Sequence, residues 1–205
     1  MNTPVFKGRI SDTNLSEYLK TVYGAEASFV QIGGKLITFE PLLQNNYGKD
    51  QDCTLTSITA VTNYVTKKQH SVDSIYNKVE SIARNYFYNG DKWGTVPVFI
   101  KKVLDKTLAT FYKRCPTKSG YFKNVGVRWG TIVNQINREN PIIMNLFKDG
   151  KDYYYSHSIT VVGYRVFRVG AQEVRMLAVY DNWYKTISYI DFARLSNIVS
   201  INYIA

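Results

Sequence analysis

The chain has 205 residues, of which 45% are hydrophobic and 20% charged, the balance of an ordinary folded protein long enough to bury a sizeable core. Its net charge is +10, but the basic residues are spread out. The densest clusters are Lys67-Lys68 and Lys101-Lys102, far short of an arginine-rich arm, so the charge reads as a solvated basic surface and speaks against a nucleic-acid partner.

In chain order, Ser11-Asp12 followed by Leu15, Tyr18, Leu19 and Val22 predicts a capped short helix ending at Gly24. Ser28 to Ile32, Gly33-Gly34 and Lys35 to Glu40 read as a hairpin. Residues 41–52 are polar and irregular apart from Leu42-Leu43. From Thr54 to Val65, Leu55, Ile58, Val61, Thr62 and Val65 fall on one helical face. Ser71 caps a second helix whose apolar positions, Val72, Ile75, Tyr76, Val79, Ile82, Ala83 and Tyr86, follow a 3-4 spacing. Thr95-Val96-Pro97 starts a third helix, and Trp129 to Asn137 forms a fourth with Ile132, Val133 and Ile136 inward.

After Asn140-Pro141 the texture changes. Ile142 to Phe147, Tyr154 to Val166, Val174 to Tyr180, Thr186 to Tyr189 and Ile198 to Ile204 read as strands, with a turn at Asp149-Gly150. Helices first and an antiparallel sheet second is an α+β pattern. It places a helical N-terminal half on a C-terminal sheet, with a cleft between them, in a single domain spanning 1–205. No segment approaches the roughly 20 apolar residues of a membrane span. Met1 to Lys7 has no signal-peptide character, so the expectation is a protein cytoplasmic at synthesis or delivered by another route.

Two cysteines stand at 53 and 115, too far apart and too few for a disulfide framework or a CxxC zinc pattern, so neither a metal nor a cofactor is expected. Cys115, in Lys113-Arg114-Cys115-Pro116, has no partner motif. Cys53 opens the Thr54–Val65 helix, where backbone N–H groups stabilise a thiolate. Only His70 and His157 are available as a base. His70 sits in a polar joint between helices, whereas His157 starts an apolar strand at a cleft edge. Asp149, Asp152 and Asp181 are the nearby acids; Asp181 is favoured because its strand would pair beside that of His157, with Trp183 placed to cover the His–Asp contact. Cysteine, histidine and carboxylate are a thiol nucleophile, its base and its orienter.

These segments resemble the papain-like cysteine peptidases. His157-Ser158-Ile159-Thr160-Val161-Val162-Gly163-Tyr164 has that family's spacing from histidine to Gly-Tyr, and Asp181-Asn182-Trp183 stands where the family has Asn-Ser-Trp or Asp-Pro-Trp. The finer texture is similar to the bacterial branch that includes bacteriocin leader peptidases and stand-alone relatives. There a glutamine precedes a Cys-Gly-Pro-Thr-Ser helix start, and here Leu42-Leu43-Gln44 precedes Cys53-Thr54-Leu55-Thr56-Ser57, with Thr54 in place of the glycine. The resemblance covers residues 41–205 and leaves 1–40 as an N-terminal extension of unassigned role. It implies a papain-like fold with Cys53, His157 and Asp181 as catalytic triad. Gln44, or alternatively Gln51, would be the side-chain oxyanion donor beside the cysteine's own N–H. The implied activity is hydrolysis of a peptide or isopeptide bond in a peptide or protein substrate. Acyl or amide transfer by the same triad, or a non-catalytic module that kept the fold, are the alternatives.

Overall fold

The computed structural model describes residues 8–33, 35–36, 38–47, 51–90, 92, 94–112, 116–146, 156–197 and 199–205. The Asp149-Gly150 turn, Asp152 and Cys115 lie outside these. Among the described residues are five α-helices and an eight-stranded sheet. The helices are α1 (Leu15–Tyr23), α2 (Cys53–Val65), α3 (Val72–Arg84), α4 (Pro97–Phe111) and α5 (Trp129–Asn137). The strands are β1 (Ile10–Ser11), β2 (Ala27–Gly33), β3 (Thr117–Tyr121), β4 (Ile142–Leu146), β5 (His157–Val169), β6 (Gln172–Tyr180), β7 (Ser188–Asp191) and β8 (Val199–Ile204). All the ladders between strands are antiparallel, in the order β1-β7-β6-β5-β4-β8-β3, with β2 added to β5. The α+β class read from the sequence is the one observed.

Several helix ends sit where the local chemistry puts them. Gly24 closes α1 in the left-handed region at φ 75°, the conformation glycine adopts without steric cost. The Ser71 hydroxyl accepts from Ser74 N at 3.2 Å to cap α3, and Pro97 occupies the first turn of α4. The start of α1 differs from expectation. Asn14, rather than Ser11-Asp12, is the residue flanking the helix, and its Oδ1 accepts from Ser11 N at 2.7 Å.

The expected hairpin over 28–40 does not form. β2 pairs with the far half of β5, from Ala27 opposite Val169 to Gly33 opposite Tyr164, and the described residues from 35 to 40 form no strand. The reason lies in strand lengths. β5 has 13 residues and β4 only 5, so β4 covers β5 only from His157 to Val161. The remaining edge of β5 presents unpaired N–H and C=O groups that a second strand must satisfy, and β2 does so. Beyond it, Leu36 N donates to Val162 O at 2.9 Å, and Leu36 and Phe39 drop into the core.

The sheet is covered by helices on both faces. Alternating side chains separate the two: Ile143 and Val162 face the α2–α4 layer, while Ile142, Met144 and Val161 face α5. On β6, Met176 and Ala178 pack with Leu15, Tyr18 and Leu19 of α1, and Leu177 and Val179 lie on the α5 side. Being enclosed twice explains why β4 is buried at all five positions. It also explains α2, read from the sequence as one-sided, which is buried at every residue from Thr54 to Asn63. Lying between α3, α4 and the sheet, it is the central helix of the molecule. Strand β3 carries Lys118, Ser119 and Gly120, a composition without a strand signature, and its pairing with β8 comes from tertiary context.

A buried carboxylate anchors the start of α2. Asp52 is 0% exposed and accepts hydrogen bonds from the hydroxyls of Tyr76 and Tyr88, which come from α3 and the segment after it. Burial first, then the hydrogen bond to Asp52 and its charge, push both phenols well above the ordinary tyrosine range. Tyr76→Phe or Tyr88→Phe leaves the carboxylate short of one donor and is expected to cost about 1–3 kcal/mol in urea unfolding. The exposed control Tyr112→Phe is expected to stay within about 0.5 kcal/mol. Equal, negligible losses for all three would show that Asp52 does not depend on these hydroxyls.

Candidate active site

Cys53 is the first residue of α2 and His157 the first of β5. Although 104 positions apart in the chain, the thiol and the imidazole are hydrogen-bonded to each other. Cys53 is half-buried and His157 only 5% exposed. Both line a cavity of about 400 Å³ whose walls include Gln51, Thr54, Asn145, Leu146 and the 94–97 segment ahead of α4. His70 is far from this arrangement: it is exposed, and its ring packs against Phe111.

Burial raises the thiol, but a hydrogen bond from His157, its charge, and a hydrogen bond from the Ser158 N–H outweigh it, so Cys53 lies below the ordinary thiol range. Burial lowers His157, but the hydrogen bond to Cys53, its charge, and the carbonyl and charge of Asp181 outweigh that, so the imidazole lies above its ordinary range. The two displacements are reciprocal and favour a thiolate–imidazolium pair.

Asp181 follows the last residue of β6, which pairs with β5 so that Tyr180 stands opposite Thr160. It reaches the histidine by a route the sequence did not indicate: His157 Nε2 meets the main-chain oxygen of Asp181 at 2.7 Å. The carboxylate, 0% exposed, turns into its own loop. Oδ1 accepts from Trp183 N at 3.1 Å and Tyr184 N at 3.0 Å, and Oδ2 accepts from Ser188 Oγ at 2.6 Å. Arg9 Nε lies 3.4 Å from Oδ2. Three hydrogen-bond donors and the Arg9 charge face the carboxylate, and these contacts fix the loop. The loop in turn lays Trp183 over the imidazole, ring centroids 4.1 Å apart at 26°, so that an indole screens the ring from water.

Asn182, between those two residues, was not singled out by the sequence. It is buried and holds φ at 64°, a left-handed conformation that asparagine tolerates better than most residues. Its Nδ2 lies 2.9 Å from Cys53 O, from Ser57 Oγ and from Ser158 O. Thr54, standing at the resembled glycine position, is 3% exposed and its hydroxyl meets Ser158 Oγ at 2.6 Å. Ser158 donates onward to Asn145 Oδ1 at 2.6 Å, and Asn145 Nδ2 donates to Ser200 Oγ at 3.0 Å. Thr54 thus ties α2 to the sheet. Buried polar positions in apolar strands, such as Asn145 and Ser158, are the signal that would have found this chain of contacts.

The two glutamines differ in setting. Gln44 is buried at the start of a 3-10 turn, and its N–H donates to Asn182 O at 2.9 Å. Gln51 is exposed and lines the cavity with Cys53. Among the described residues no cluster of His, Cys, Asp or Glu suits a metal ion, and no helix is long and apolar enough to cross a membrane.

A family model described as the Peptidase_C39-like family matches residues 36–198, and the chain belongs to that family. It is therefore of cysteine-peptidase type. No curated protein matches significantly.

The lowered thiol fixes the direction of a pH effect. A group depressed below its ordinary value, about 8.5 for cysteine, stays ionised as pH falls until its own lower value is crossed. Iodoacetamide alkylation of Cys53, followed by mass spectrometry of its peptide, is expected to persist to lower pH than that of free cysteine. His157→Ala removes the hydrogen bond and charge that lower the thiol, so the acid limb is expected to move up. An unchanged profile in that variant would contradict the ion pair.

Proposed function

We propose that this protein is a papain-like thiol hydrolase that cleaves a peptide or isopeptide bond, with Cys53 as nucleophile, His157 as base and acid, Asp181 as orienter and Gln44 as oxyanion donor. The observation that supports it most is the hydrogen bond between a lowered Cys53 thiol and a raised His157, both at the wall of one cavity. The papain-like arrangement, with the nucleophile on a helix start facing a base on a strand start, and kinship with the bacteriocin-leader-peptidase branch are parts of the same reading.

In this mechanism the thiolate attacks the substrate carbonyl, and the carbonyl electrons move onto oxygen. The Cys53 N–H and the Gln44 amide hold that oxyanion. With Nε2 engaged by Asp181 O, Nδ1 of the imidazolium gives its proton to the departing amine as the C–N bond breaks, leaving a thioester on Cys53. Water then gives a proton to the same nitrogen and adds to the thioester. Collapse of the second tetrahedral species releases the acid and returns the thiolate–imidazolium pair. Asp181 serves here through its carbonyl, which fixes the ring orientation, and through its negative charge, which favours the imidazolium.

The test is a panel of activated peptide esters. A hydrolase releases product in water without added amine. A burst of acylation that stalls until an amine is supplied would identify a transferase, and no acyl-enzyme with any probe would identify a binding module. Gln44→Ala is expected to cut turnover by roughly 10²-fold while leaving Cys53 alkylation intact, and Gln51→Ala to do little. The reverse ranking would move the oxyanion donor to Gln51, which lines the cavity.

A further inference from the structure

The span that matches the family begins at residue 36, yet a residue well ahead of it reaches the loop that holds the histidine. β1 pairs with β7, with Ile10 opposite Tyr189 and Ser11 opposite Ser188, which delivers Arg9 to the β6–β7 loop. There the guanidinium spans the loop. Its Nε donates to Ser188 Oγ at 2.6 Å and lies 3.4 Å from Asp181 Oδ2. Its Nη2 donates to Thr186 O at 2.7 Å, Thr186 Oγ1 at 2.8 Å and Ile187 O at 3.1 Å. Its face lies 4.3 Å from the Tyr184 ring centroid. One planar cation thus contacts residues 181, 184, 186, 187 and 188, the whole course of the segment that presents the Asp181 carbonyl and the Trp183 ring to His157.

We propose that Arg9 is a positioning residue for the Cys53–His157 pair, acting through the Asp181 loop, and that the N-terminal extension is in this sense part of the active site. The inference rests on the thiol-hydrolase reading above. Its physical basis is twofold. Asp181 is wholly buried, and a buried carboxylate is costly unless a charge or several donors face it. Arg9 supplies the charge, and its fork adds directional bonds to the loop carbonyls that a point charge would not. Simple tethering of the extension is provided elsewhere. Tyr18 and Tyr23 donate to Asp191 Oδ2, and Asp12 accepts from Tyr189 at 2.7 Å and pairs with Arg165 at 2.9 Å. Those contacts hold α1 on the sheet without touching the Asp181 loop, so the two roles are separable by mutation.

The experiment compares the wild-type full chain with Arg9→Ala, Arg9→Lys and Tyr18→Phe, reading thermal stability and the iodoacetamide rate at Cys53 near pH 6, normalised to the folded fraction. For Arg9→Ala the alkylation is expected to be about tenfold slower, as a smaller thiolate fraction requires. Arg9→Lys, which restores charge but not the fork, should recover part of that loss. Tyr18→Phe should lose stability and keep the wild-type rate. A wild-type rate in Arg9→Ala, or an equal slowing in Tyr18→Phe, would overturn this inference while leaving the thiol-hydrolase reading in place. A wild-type Cys53 no faster than free cysteine would overturn both. Should Arg9→Ala not fold, Arg9→Lys against Tyr18→Phe carries the same comparison.

Discussion

One side-chain amide holds the two halves of the site together. The helix that begins at Cys53 and the strand that begins at His157 are joined by no short connection, and their relative position must be fixed by contacts in space. Asn182 Nδ2 supplies them, facing the carbonyls of Cys53 and Ser158 and the hydroxyl of Ser57 at 2.9 Å each. Because the amide is buried, releasing those partners would strand polar groups away from water. The flanking residues serve the same end from either side: Asp181 brings its carbonyl to the imidazole and Trp183 covers the ring. Three consecutive residues therefore set the register of helix start, strand start and imidazole.

The molecule handles its buried acids in a consistent way. Asp52 is met by two tyrosine hydroxyls, Asp191 by two others and by Ala193 N, and Asp181 by a hydroxyl, two backbone N–H groups and one guanidinium. A tyrosine hydroxyl donates to the carboxylate where water is excluded, and its ring adds apolar burial. This gives one physical use for a chain with 17 tyrosines. Through these acids α1, α2 and the β6–β7 loop are each held by buried polar contacts as well as by packing.

Periodicity and punctuation in the sequence determined α1, α3, α4 and α5 and the strands β4 to β8, because local signals dominate there: Gly24, Ser71, Pro97 and alternating or continuous apolar runs. Cys53 and His157 could be singled out as candidates too, since the chain has only two histidines and one of them opens a strand. The partner of β2 was not legible, because it depends on the difference in length between β4 and β5. Nor was the burial of α2 on all sides, which follows from being enclosed by two helices and a sheet.

At the site, residue chemistry by itself named the thiol, the imidazole and Asp181. Tertiary structure alone decided which atom of Asp181 meets the ring. A carboxylate and a carbonyl belong to the same residue and are indistinguishable in a sequence, and here Trp183 N, Tyr184 N, Ser188 and Arg9 surround the carboxylate and leave the carbonyl facing Nε2. The place of Arg9 was likewise invisible. It stands 172 positions before Asp181, and only the pairing of β1 with β7 brings the two together.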